Sequence, residues 1–209
     1  VRRGATTMLL QGGHNPALRL PYYLDIIRTI RERVPGIHLH GFSPTEIAFI
    51  AKIEKMTTSD VLRAFWDEGL RSIPGGGAEI LVDRVRQMVS PKKLRANEWL
   101  RVMKEAHAIG FKTTATMTFG HREQPIDIID HLFKLQRLQE ESGGFLAFIP
   151  WSFKPGSSPL SKVIPVGALP SYYIRVIATA RMILRSIPHI QASWFGEGWR
   201  AGQIALNAG

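Results

Sequence analysis

The chain has 209 residues, of which 44% are hydrophobic and 21% charged, and its formal net charge at pH 7 is +10. This is the composition of a globular protein with enough residues for a sizeable core, and no apolar run reaches membrane-spanning length. The chain contains no cysteine, which excludes disulfides and thiolate metal ligands within these residues. Because it also fits a reducing compartment, we expect a cytoplasmic protein.

The two ends of the sequence favour a piece of a longer chain. Val1-Arg2-Arg3-Gly4 has neither an initiator methionine nor a signal peptide and leads directly into a strand-like segment. The chain then stops abruptly at Gly209. We therefore expect residues 1–209 to form one domain that is incomplete at both ends.

The positive charge admits two interpretations. The basic residues are scattered and form no long run with interleaved aromatics, so exposed helix faces explain them best and we expect no nucleic acid and no membrane as partner. The competing function, from a different class, is a cluster-free module that binds RNA or another polyanion, and steep salt dependence would reveal it.

Hydrophobic periodicity and chain breakers divide the sequence into repeated strand–loop–helix units. The predicted strands cover residues 6–10, 37–42, 71–73, 113–119, 145–151 and 189–194. The predicted helices cover residues 22–34, 44 to about 55, 61–70, 80–89, 96–109, 125–141, 170–186 and 198–206. Thr58, Ser59 and Asp60 are candidate N-caps of the third helix, and Asn97 is a candidate N-cap of the fifth.

Six strands that alternate with helices predict an α/β fold with a parallel sheet and helical crossovers. A doubly wound sheet and a partial TIM-type (β/α) barrel both fit this order. We favour the partial barrel, because nearly every predicted strand ends in glycine or polar residues, as the ligand loops of a barrel do. A Rossmann fold concentrates its glycines after the first strand.

Two glycine-rich turns follow predicted strands. Gly12 and Gly13 expose the backbone so that a ligand can approach closely, although a tight structural turn is the simpler explanation of this pair alone. Residues 74–78 contain three consecutive glycines, and Glu79 follows them. The Glu79 carboxylate would accept hydrogen bonds from ribose hydroxyls, or stabilise the start of the next helix; the two roles are compatible.

Two later strand ends also carry chemistry. Gly120, His121 and Glu123 follow the fourth strand, where His121 would act as acid, base or substrate ligand and Glu123 is alternatively a helix-start carboxylate. Residues 148–160, which include Pro150, combine an aromatic strand end with a Pro/Gly/Ser turn. They would either wall a flat ring such as adenine or form a core strand and surface loop.

Alternating polar residues lie on two strands. His38 and His40 share one face, and this pair resembles metal-ligand spacing, but no nearby carboxylate completes a site. Two hydrogen-bonded histidines that either line a pocket or pack inside the barrel are therefore the favoured interpretation, and we predict no metal ligands. Gln191 and Ser193 end the last predicted strand and would face a barrel lumen.

Taken together, these turns resemble the radical S-adenosylmethionine superfamily. Within it, the chain is most similar to the futalosine-route enzymes of the cyclic dehypoxanthinyl futalosine synthase type, over essentially its whole length. The segments that carry this closer similarity are Leu10-Gln11-Gly12-Gly13-His14-Asn15-Pro16, His38-Leu39-His40-Gly41-Phe42-Ser43-Pro44, residues 74–81 and Phe145 to Pro150. Aminofutalosine synthase shares residues 74–79 and Gly120-His121, and deazaflavin-forming synthases are more distant relatives.

The resemblance implies sites for S-adenosylmethionine. Gly12 and Gly13 would receive its methionine amino group, and His14 stands where the superfamily has an acidic residue. Glu79 would contact the ribose, and Glu123 and Pro150 lie in the segments near the adenine. The full set of implied cofactor contacts is Gly12, Gly13, Ser43, Glu79, Gly120, Glu123 and Pro150. Expected substrate contacts, from lumen-facing position, are His14, His40, His121, Gln191 and Ser193; no catalytic residue is assigned.

The resemblance also implies a reaction. A 4Fe–4S cluster, held by a cysteine loop absent from these residues, would reduce S-adenosylmethionine, with flavodoxin or ferredoxin as an electron donor. The 5′-deoxyadenosyl radical would take a hydrogen atom from dehypoxanthine futalosine, a nucleoside-derived substrate, and cyclisation would follow on the route to menaquinone. Without a thiolate, these 209 residues alone are expected to be inactive.

Overall fold

The computed structural model describes residues 4–157 and 159–209. Predictions that concern Val1 to Arg3 or Ser158 therefore lie outside the described residues. The strands are β1 (Thr7–Leu10), β2 (His38–Gly41), β3 (Ser72–Ile73), β4 (Lys112–Phe119), β5 (Phe145–Ser152) and β6 (His189–Ile190). The helices are α1 (Leu20–Arg33), α2 (Pro44–Glu54), α3 (Thr58–Asp67), α4 (Asp83–Val89), α5 (Ala96–Ile109), α6 (Pro125–Ser142), α7 (Pro170–Ile183), α8 (Trp194–Glu197) and α9 (Trp199–Leu206).

The strands form one parallel sheet in chain order, β1-β2-β3-β4-β5-β6. Thr7 lies opposite His38 in the first pair, and His40 lies opposite Ser72 in the second. Helices connect successive strands, as parallel pairing requires. The predicted α/β class with helical crossovers is confirmed. None of the described helices is both long and apolar enough to cross a membrane.

The chain divides into two compact units. The first contains residues 4–77 and Glu98–Thr113, and the second contains Ala78–Asn97 and the described part of residues 114–209. In the first unit, one face of α1, α2 and α3 packs around a core of fully buried side chains. These include Ile27, Ile47, Ile50, Leu62 and Phe65. The amphipathic spacing of these helices produces that core.

The second unit has a core between its strands and helices α6 and α7. Leu132, Leu135 and Phe148 are fully buried there. Phe119 stacks on Tyr173 with 6.2 Å between ring centroids, which ties β4 to α7. The core thus fixes the carboxyl ends of β4 and β5, where the turns predicted to carry binding residues begin.

Four local predictions were wrong. The segment 80–82 is irregular and α4 begins only at Asp83, because the backbone of residues 80 and 81 bonds to side chains elsewhere in the second unit. The N-cap of α3 is Thr57, whose hydroxyl accepts from the Asp60 amide at 3.1 Å. Asn97 lies inside α5 rather than before it. The last strand ends at Ile190, since the chain then turns inward at Ser193.

Candidate functional site

The Gly12-Gly13 turn follows β1 in the first unit. The Gly12 amide donates a hydrogen bond to Glu46 Oε1 at 2.9 Å, so a carboxylate from α2 holds the turn. A Cβ atom built on Gly13 would meet no atom within 4 Å. The turn therefore combines a fixed backbone with open space, which allows a ligand to approach the main chain closely.

Ser43 lies at the N-terminus of α2 and is buried. Its amide and hydroxyl both donate to Glu46 Oε2, at 2.8 and 2.5 Å. The residue spacing Ser-x-x-Glu is a capping signal that can be read from sequence, but it does not reveal the bond from Glu46 to Gly12. Ser43 thus orients the carboxylate beside the turn, and its predicted cofactor contact stays a prediction.

The triple glycine packs against the start of α2. A Cβ atom on Gly76 would lie 2.9 Å from Gln11 Nε2 and 3.1 Å from Ser43 Cβ. One on Gly77, whose φ is +77°, would lie 2.5 Å from Thr45 Cγ2. Within the first unit, two glycines of this run therefore allow a close approach of the chain to itself.

The two histidines predicted as substrate contacts in the first unit have different surroundings. The His14 ring stacks on Phe49, with 4.6 Å between centroids and 5° between planes, and lines a cavity of about 420 Å³. His40 Nδ1 lies 2.6 Å from Ser72 Oγ, and its ring stacks on His38. Burial, reinforced by His38, lowers the pKa of His40 to about 4. The hydrogen bond expected for His40 is present, whereas His38, for which one was also expected, is exposed.

In the second unit, three basic side chains hold the irregular segment before α4. Arg86 is buried and donates to the carbonyl oxygens of Ala78, Ile80 and Leu94. His131 Nδ1 accepts from the Leu81 amide at 2.9 Å. Lys134 Nζ donates to the Leu81 carbonyl oxygen at 2.7 Å. The sequence did not reveal this network, because its members come from helices that follow the segment.

Glu79 lies at the start of this segment with φ +46°, in the left-handed region. Its carbonyl oxygen accepts from the Thr118 amide at 2.7 Å, and its carboxylate forms an ion pair with Lys93. Burial would raise the pKa of Glu79, but Lys93, the Thr118 hydroxyl and Arg86 together hold that pKa below its usual value. Glu79 is therefore an ionised acceptor with a fixed position.

A cavity of about 700 Å³ opens beside Glu79 in the second unit. Its polar lining residues are Glu79, Ser90, Lys92, Lys93, Thr118 and His121. The rest is mainly apolar and includes Met88, Val89, Phe153, Pro159, Leu160 and Val163. A carboxylate beside an apolar wall suits a ligand that has hydroxyl groups and a flat ring, as a nucleoside does.

His121 and Glu123 form a buried pair after β4. His121 Nδ1 lies 2.8 Å from Glu123 Oε2, and both side chains are at most 2% exposed. Glu123 also accepts from the amides of Gly120 and His121, at 2.5 and 2.9 Å. Burial would raise the pKa of Glu123, but these hydrogen bonds hold it below its usual value. The carboxylate therefore shapes this turn.

Gly120 allows a close approach of the chain at the same turn. Its φ is +82°, and a Cβ atom there would lie 2.8 Å from Ala168 Cβ. The segment that follows the 3₁₀ turn Pro159–Lys162 thus contacts the end of β4. Gly120, one of the predicted cofactor contacts, is therefore closely packed against Ala168.

Pro150, Gln191 and Ser193 lie on or beside β5 and β6. Ser193 is fully buried, its hydroxyl donates to the Pro150 carbonyl oxygen at 3.1 Å, and its amide donates to the Tyr173 hydroxyl at 2.7 Å. Gln191 is exposed, and its amide donates to the Phe148 carbonyl oxygen at 2.9 Å. Ser193 joins β5 to α7, and the substrate contacts predicted for Gln191 and Ser193 stay predictions.

Glu197 is a buried carboxylate that sequence reasoning missed. Its Oε1 accepts from the Ser152 hydroxyl at 2.6 Å, and its Oε2 accepts from Lys154 at 2.9 Å. It lies on α8 and fixes the end of β5. Across the described ranges 4–157 and 159–209, no three histidine, aspartate or glutamate side chains form a group that could hold a metal ion.

Comparison with known proteins identifies relatives of this chain. Residues 142–209 match the family described as the CofH/MqnC C-terminal region. Over 99% of its length the chain is 39% identical to cyclic dehypoxanthine futalosine synthase of Halalkalibacterium halodurans and covers 55% of that protein. The resemblance is confirmed. The chain is similar to radical S-adenosylmethionine enzymes of the futalosine route.

Other relatives are about equally similar. The chain is 41% identical over 99% of its length to a 5-amino-6-(D-ribitylamino)uracil–L-tyrosine 4-hydroxyphenyl transferase of Methanopyrus kandleri and covers 57% of it. It is 36% identical over 99% of its length to aminodeoxyfutalosine synthase of Thermus thermophilus and covers 56% of it. The chain thus spans a little over half the length of these relatives, and identity alone does not separate the cyclase from the transferase.

Solved structures confirm the fold. HydG, a maturase of the [FeFe]-hydrogenase, superposes with a TM-score of 0.75 at 14% identity, covering 99% of this chain and 45% of HydG. Methylornithine synthase (PylB) superposes with a TM-score of 0.68 at 14% identity, covering 98% of this chain and 55% of PylB. The parallel sheet is that of a partial TIM-type barrel, as predicted.

Proposed function

We propose that this chain is part of a radical S-adenosylmethionine enzyme that converts dehypoxanthine futalosine to cyclic dehypoxanthinyl futalosine. The observation that carries the proposal is 39% identity, over 99% of the chain, to a protein named for that synthesis. The product lies on the futalosine route to menaquinone. A cytoplasmic location, a nucleoside-derived substrate and an electron donor such as flavodoxin or ferredoxin belong to the same proposal.

The residues of each unit supply binding groups. In the second unit, the ionised Glu79 carboxylate would accept hydrogen bonds from ribose hydroxyls, while the apolar part of its cavity would pack against the adenine. In the first unit, the open backbone at Gly12 and Gly13 would receive the methionine amino group. When bound, S-adenosylmethionine supplies the radical that removes a hydrogen atom from the substrate.

The chain does not fit a 4Fe–4S cluster by itself. Such clusters are held by cysteine thiolates, and these 209 residues contain no cysteine. The proposal therefore requires cluster ligands from outside these residues. Within them, the proposed roles are binding and orientation, and residues 1–209 alone should give no turnover.

The test uses the longest natural protein that contains this chain, reconstituted anaerobically with iron and sulfide. We expect 4Fe–4S absorbance, reductive cleavage of S-adenosylmethionine, and the cyclic product from dehypoxanthine futalosine. Absence of the iron–sulfur absorbance would contradict the enzyme class. Cleavage of S-adenosylmethionine without the cyclic product would contradict the specific reaction while leaving the class intact.

A second candidate reaction is transfer of a 4-hydroxyphenyl group from L-tyrosine to 5-amino-6-(D-ribitylamino)uracil. The observation that favours it is 41% identity, over 99% of the chain, to a protein named for that transfer. Aminodeoxyfutalosine synthesis is a third, at 36% identity. Incubating the reconstituted enzyme with each substrate set separately, and analysing products by mass spectrometry, decides among the three.

A further inference from the structure

Residues 78–80 of the second unit are held at three successive carbonyl oxygens. Those of Ala78 and Ile80 accept hydrogen bonds from the guanidinium of Arg86, and that of Glu79 accepts from the Thr118 amide at 2.7 Å. The side chains of Ala78 and Ile80 are fully buried, whereas Glu79 lines the cavity of about 700 Å³. Of these three residues, Glu79 is therefore the one that presents its side chain to the cavity.

Glu79 has an unusual backbone conformation at this point. Its φ is +46°, in the left-handed region, which residues with a side chain disfavour. Such conformations persist where the surrounding structure determines them, and they are frequent at ligand sites. Here one guanidinium bonds to the carbonyl oxygens on both sides of Glu79. Arg86 therefore fixes the peptide groups that set the direction of the Glu79 side chain.

The guanidinium of Arg86 is itself anchored away from the cavity. Its Nε donates to the Leu94 carbonyl oxygen at 2.8 Å. Arg86 is 3% exposed, and it is not among the described residues that line the cavity. An arginine has five donors in a rigid fork, whereas a lysine has a single nitrogen on a flexible stem. A lysine at position 86 would keep the positive charge but could not make all of these bonds together.

The position of the Glu79 carboxylate determines which groups stabilise its charge. Burial would raise the pKa of Glu79, but Lys93, the Thr118 hydroxyl and Arg86 hold that pKa below its usual value. A displaced carboxylate would lose the neighbouring ammonium and hydroxyl groups. Hydroxyl groups of a ligand bond more strongly to a fixed, ionised acceptor than to a neutral one. Arg86 can thus affect a ligand that it does not touch.

We propose that Arg86 is a positioning residue for a ligand that carries a ribose. Its guanidinium sets the backbone of residues 78–80 so that Glu79 directs its carboxylate to the ribose hydroxyls in the 700 Å³ cavity. The inference rests on the proposed function for the presence of a ribose beside Glu79. It adds a residue from α4 that acts on the ligand through Glu79.

The alternative is that Arg86 contributes only to the stability of the fold. The two roles differ in what they predict for matched ligands. A positioning residue affects a nucleoside that has ribose hydroxyls and spares one that lacks them. A residue that only maintains the cavity affects both nucleosides alike.

The experiment uses isothermal titration calorimetry of the 209-residue chain with adenosine and with 2′,3′-dideoxyadenosine, which lacks both ribose hydroxyls. In Arg86→Lys we expect adenosine to bind at least about fivefold more weakly, and dideoxyadenosine to bind as it does to wild type. In the double variant with Glu79→Gln, the loss for adenosine should equal that of Glu79→Gln alone, because residues that act as one unit are not additive.

The matched control is Arg84→Lys on the same helix. Arg84 is exposed and its guanidinium pairs with Asp127 at 2.6 Å, so both affinities should stay unchanged. A measurement without ligand complements these titrations. NMR titration of the carboxyl carbon signals should show a higher pKa of Glu79 in Arg86→Lys than in wild type or in Arg84→Lys. Since lysine keeps the positive charge, such a rise reports displacement of the carboxylate from Lys93.

Equal weakening of the two nucleosides in Arg86→Lys would overturn the inference. So would additive losses in the double variant, an unchanged pKa of Glu79 in Arg86→Lys, or no binding of adenosine to the wild-type chain. None of these measurements uses a cluster or the formation of a product. Failure of the inference is therefore distinguishable from failure of the proposed function.

Should Arg86→Lys not fold, NMR titration of the wild-type chain still decides. Adenosine should shift the Nε–H signal of Arg86, although this residue is not part of the described cavity lining, and dideoxyadenosine should not. The Nε–H signal of Arg84 is the internal control and should respond to neither nucleoside. An Arg86 signal that does not respond to adenosine would contradict the positioning role.

Discussion

Gly77 and Thr45 approach each other so closely that a Cβ atom on Gly77 would lie 2.5 Å from Thr45 Cγ2. The φ angle of Gly77 is also +77°, a conformation that side chains disfavour. Both observations assign the glycine run a structural role in the first unit. They explain why the segment that follows β3 has a glycine at position 77.

Gly77→Ala should destabilise the chain by about 1–3 kcal/mol, because it adds backbone strain and a clash with Thr45. Urea denaturation measures this change. Gly36→Ala is the matched control: a Cβ atom there meets nothing within 4 Å and its backbone is not in the left-handed region. Equal stability of the Gly77 variant and wild type would contradict the close approach.

The order of strands and helices could be predicted from sequence because it depends on local signals. Hydrophobic periodicity located every strand and most helices, and Gly143 ends α6 with φ +62°, as a helix-terminating glycine does. The prediction failed at residues 80–82, where local propensity favoured helix. There the Leu81 amide bonds to His131, 50 positions later, and such long-range bonds leave no local pattern in the sequence.

The candidate site was predictable only in part, for a similar reason. Glycines and polar residues after strands located the turns, and strand alternation placed His38 and His40 on one face. The acceptor beside Gly12 could not be predicted, because Glu46 reaches it from α2 across 34 positions. Ser193 was expected to face a lumen, but its hydroxyl donates to the buried Pro150 carbonyl oxygen.

Arg86→Met should lower the free energy of unfolding by about 2–4 kcal/mol. The buried guanidinium donates to the carbonyl oxygens of Ala78, Ile80 and Leu94, and methionine would leave those oxygens without these donors. The control Arg137→Met removes an exposed arginine from α6 and should change stability by less than about 0.5 kcal/mol. Urea denaturation of both variants makes the comparison. Similar effects of the two substitutions would show that the carbonyl contacts contribute little.

Stability should decrease as the pH falls below about 6.5, partly because of His131. Burial, with Arg86 and Lys134 nearby, lowers the pKa of His131 to about 3. The unfolded chain, with an ordinary histidine pKa near 6.5, therefore binds a proton that the folded chain does not. Between about pH 6.5 and 3, this difference should reduce the unfolding free energy by up to about 1.4 kcal/mol per pH unit.

His131→Asn tests that assignment, since its amide oxygen can still accept from the Leu81 amide. Whatever its effect at pH 7, the variant should lose stability less steeply between pH 6.5 and 5 than wild type. His189→Asn, which removes an exposed histidine, should keep the wild-type slope. Parallel pH profiles for His131→Asn and wild type would exclude a buried neutral His131 as a source of the acid sensitivity.

Glu79→Gln should weaken adenosine binding by about tenfold, because hydrogen bonds to a charged acceptor are stronger than those to a neutral one. Lys93, the Thr118 hydroxyl and Arg86 keep the carboxylate ionised beside the 700 Å³ cavity. Isothermal titration calorimetry with the 209-residue chain measures the affinity. Because 2′,3′-dideoxyadenosine lacks both ribose hydroxyls, its affinity should be equal for the variant and wild type.

The matched control for this prediction is Glu32→Gln, which removes an exposed carboxylate from α1 and should leave the affinity for adenosine unchanged. If Glu79→Gln weakened the binding of adenosine and of 2′,3′-dideoxyadenosine to the same extent, the carboxylate would act by shaping the cavity rather than by accepting hydrogen bonds from ribose hydroxyls. If it weakened neither, the cavity beside Glu79 would not be the nucleoside site. A selective loss of adenosine binding is the result that the ion pair and the apolar wall together predict.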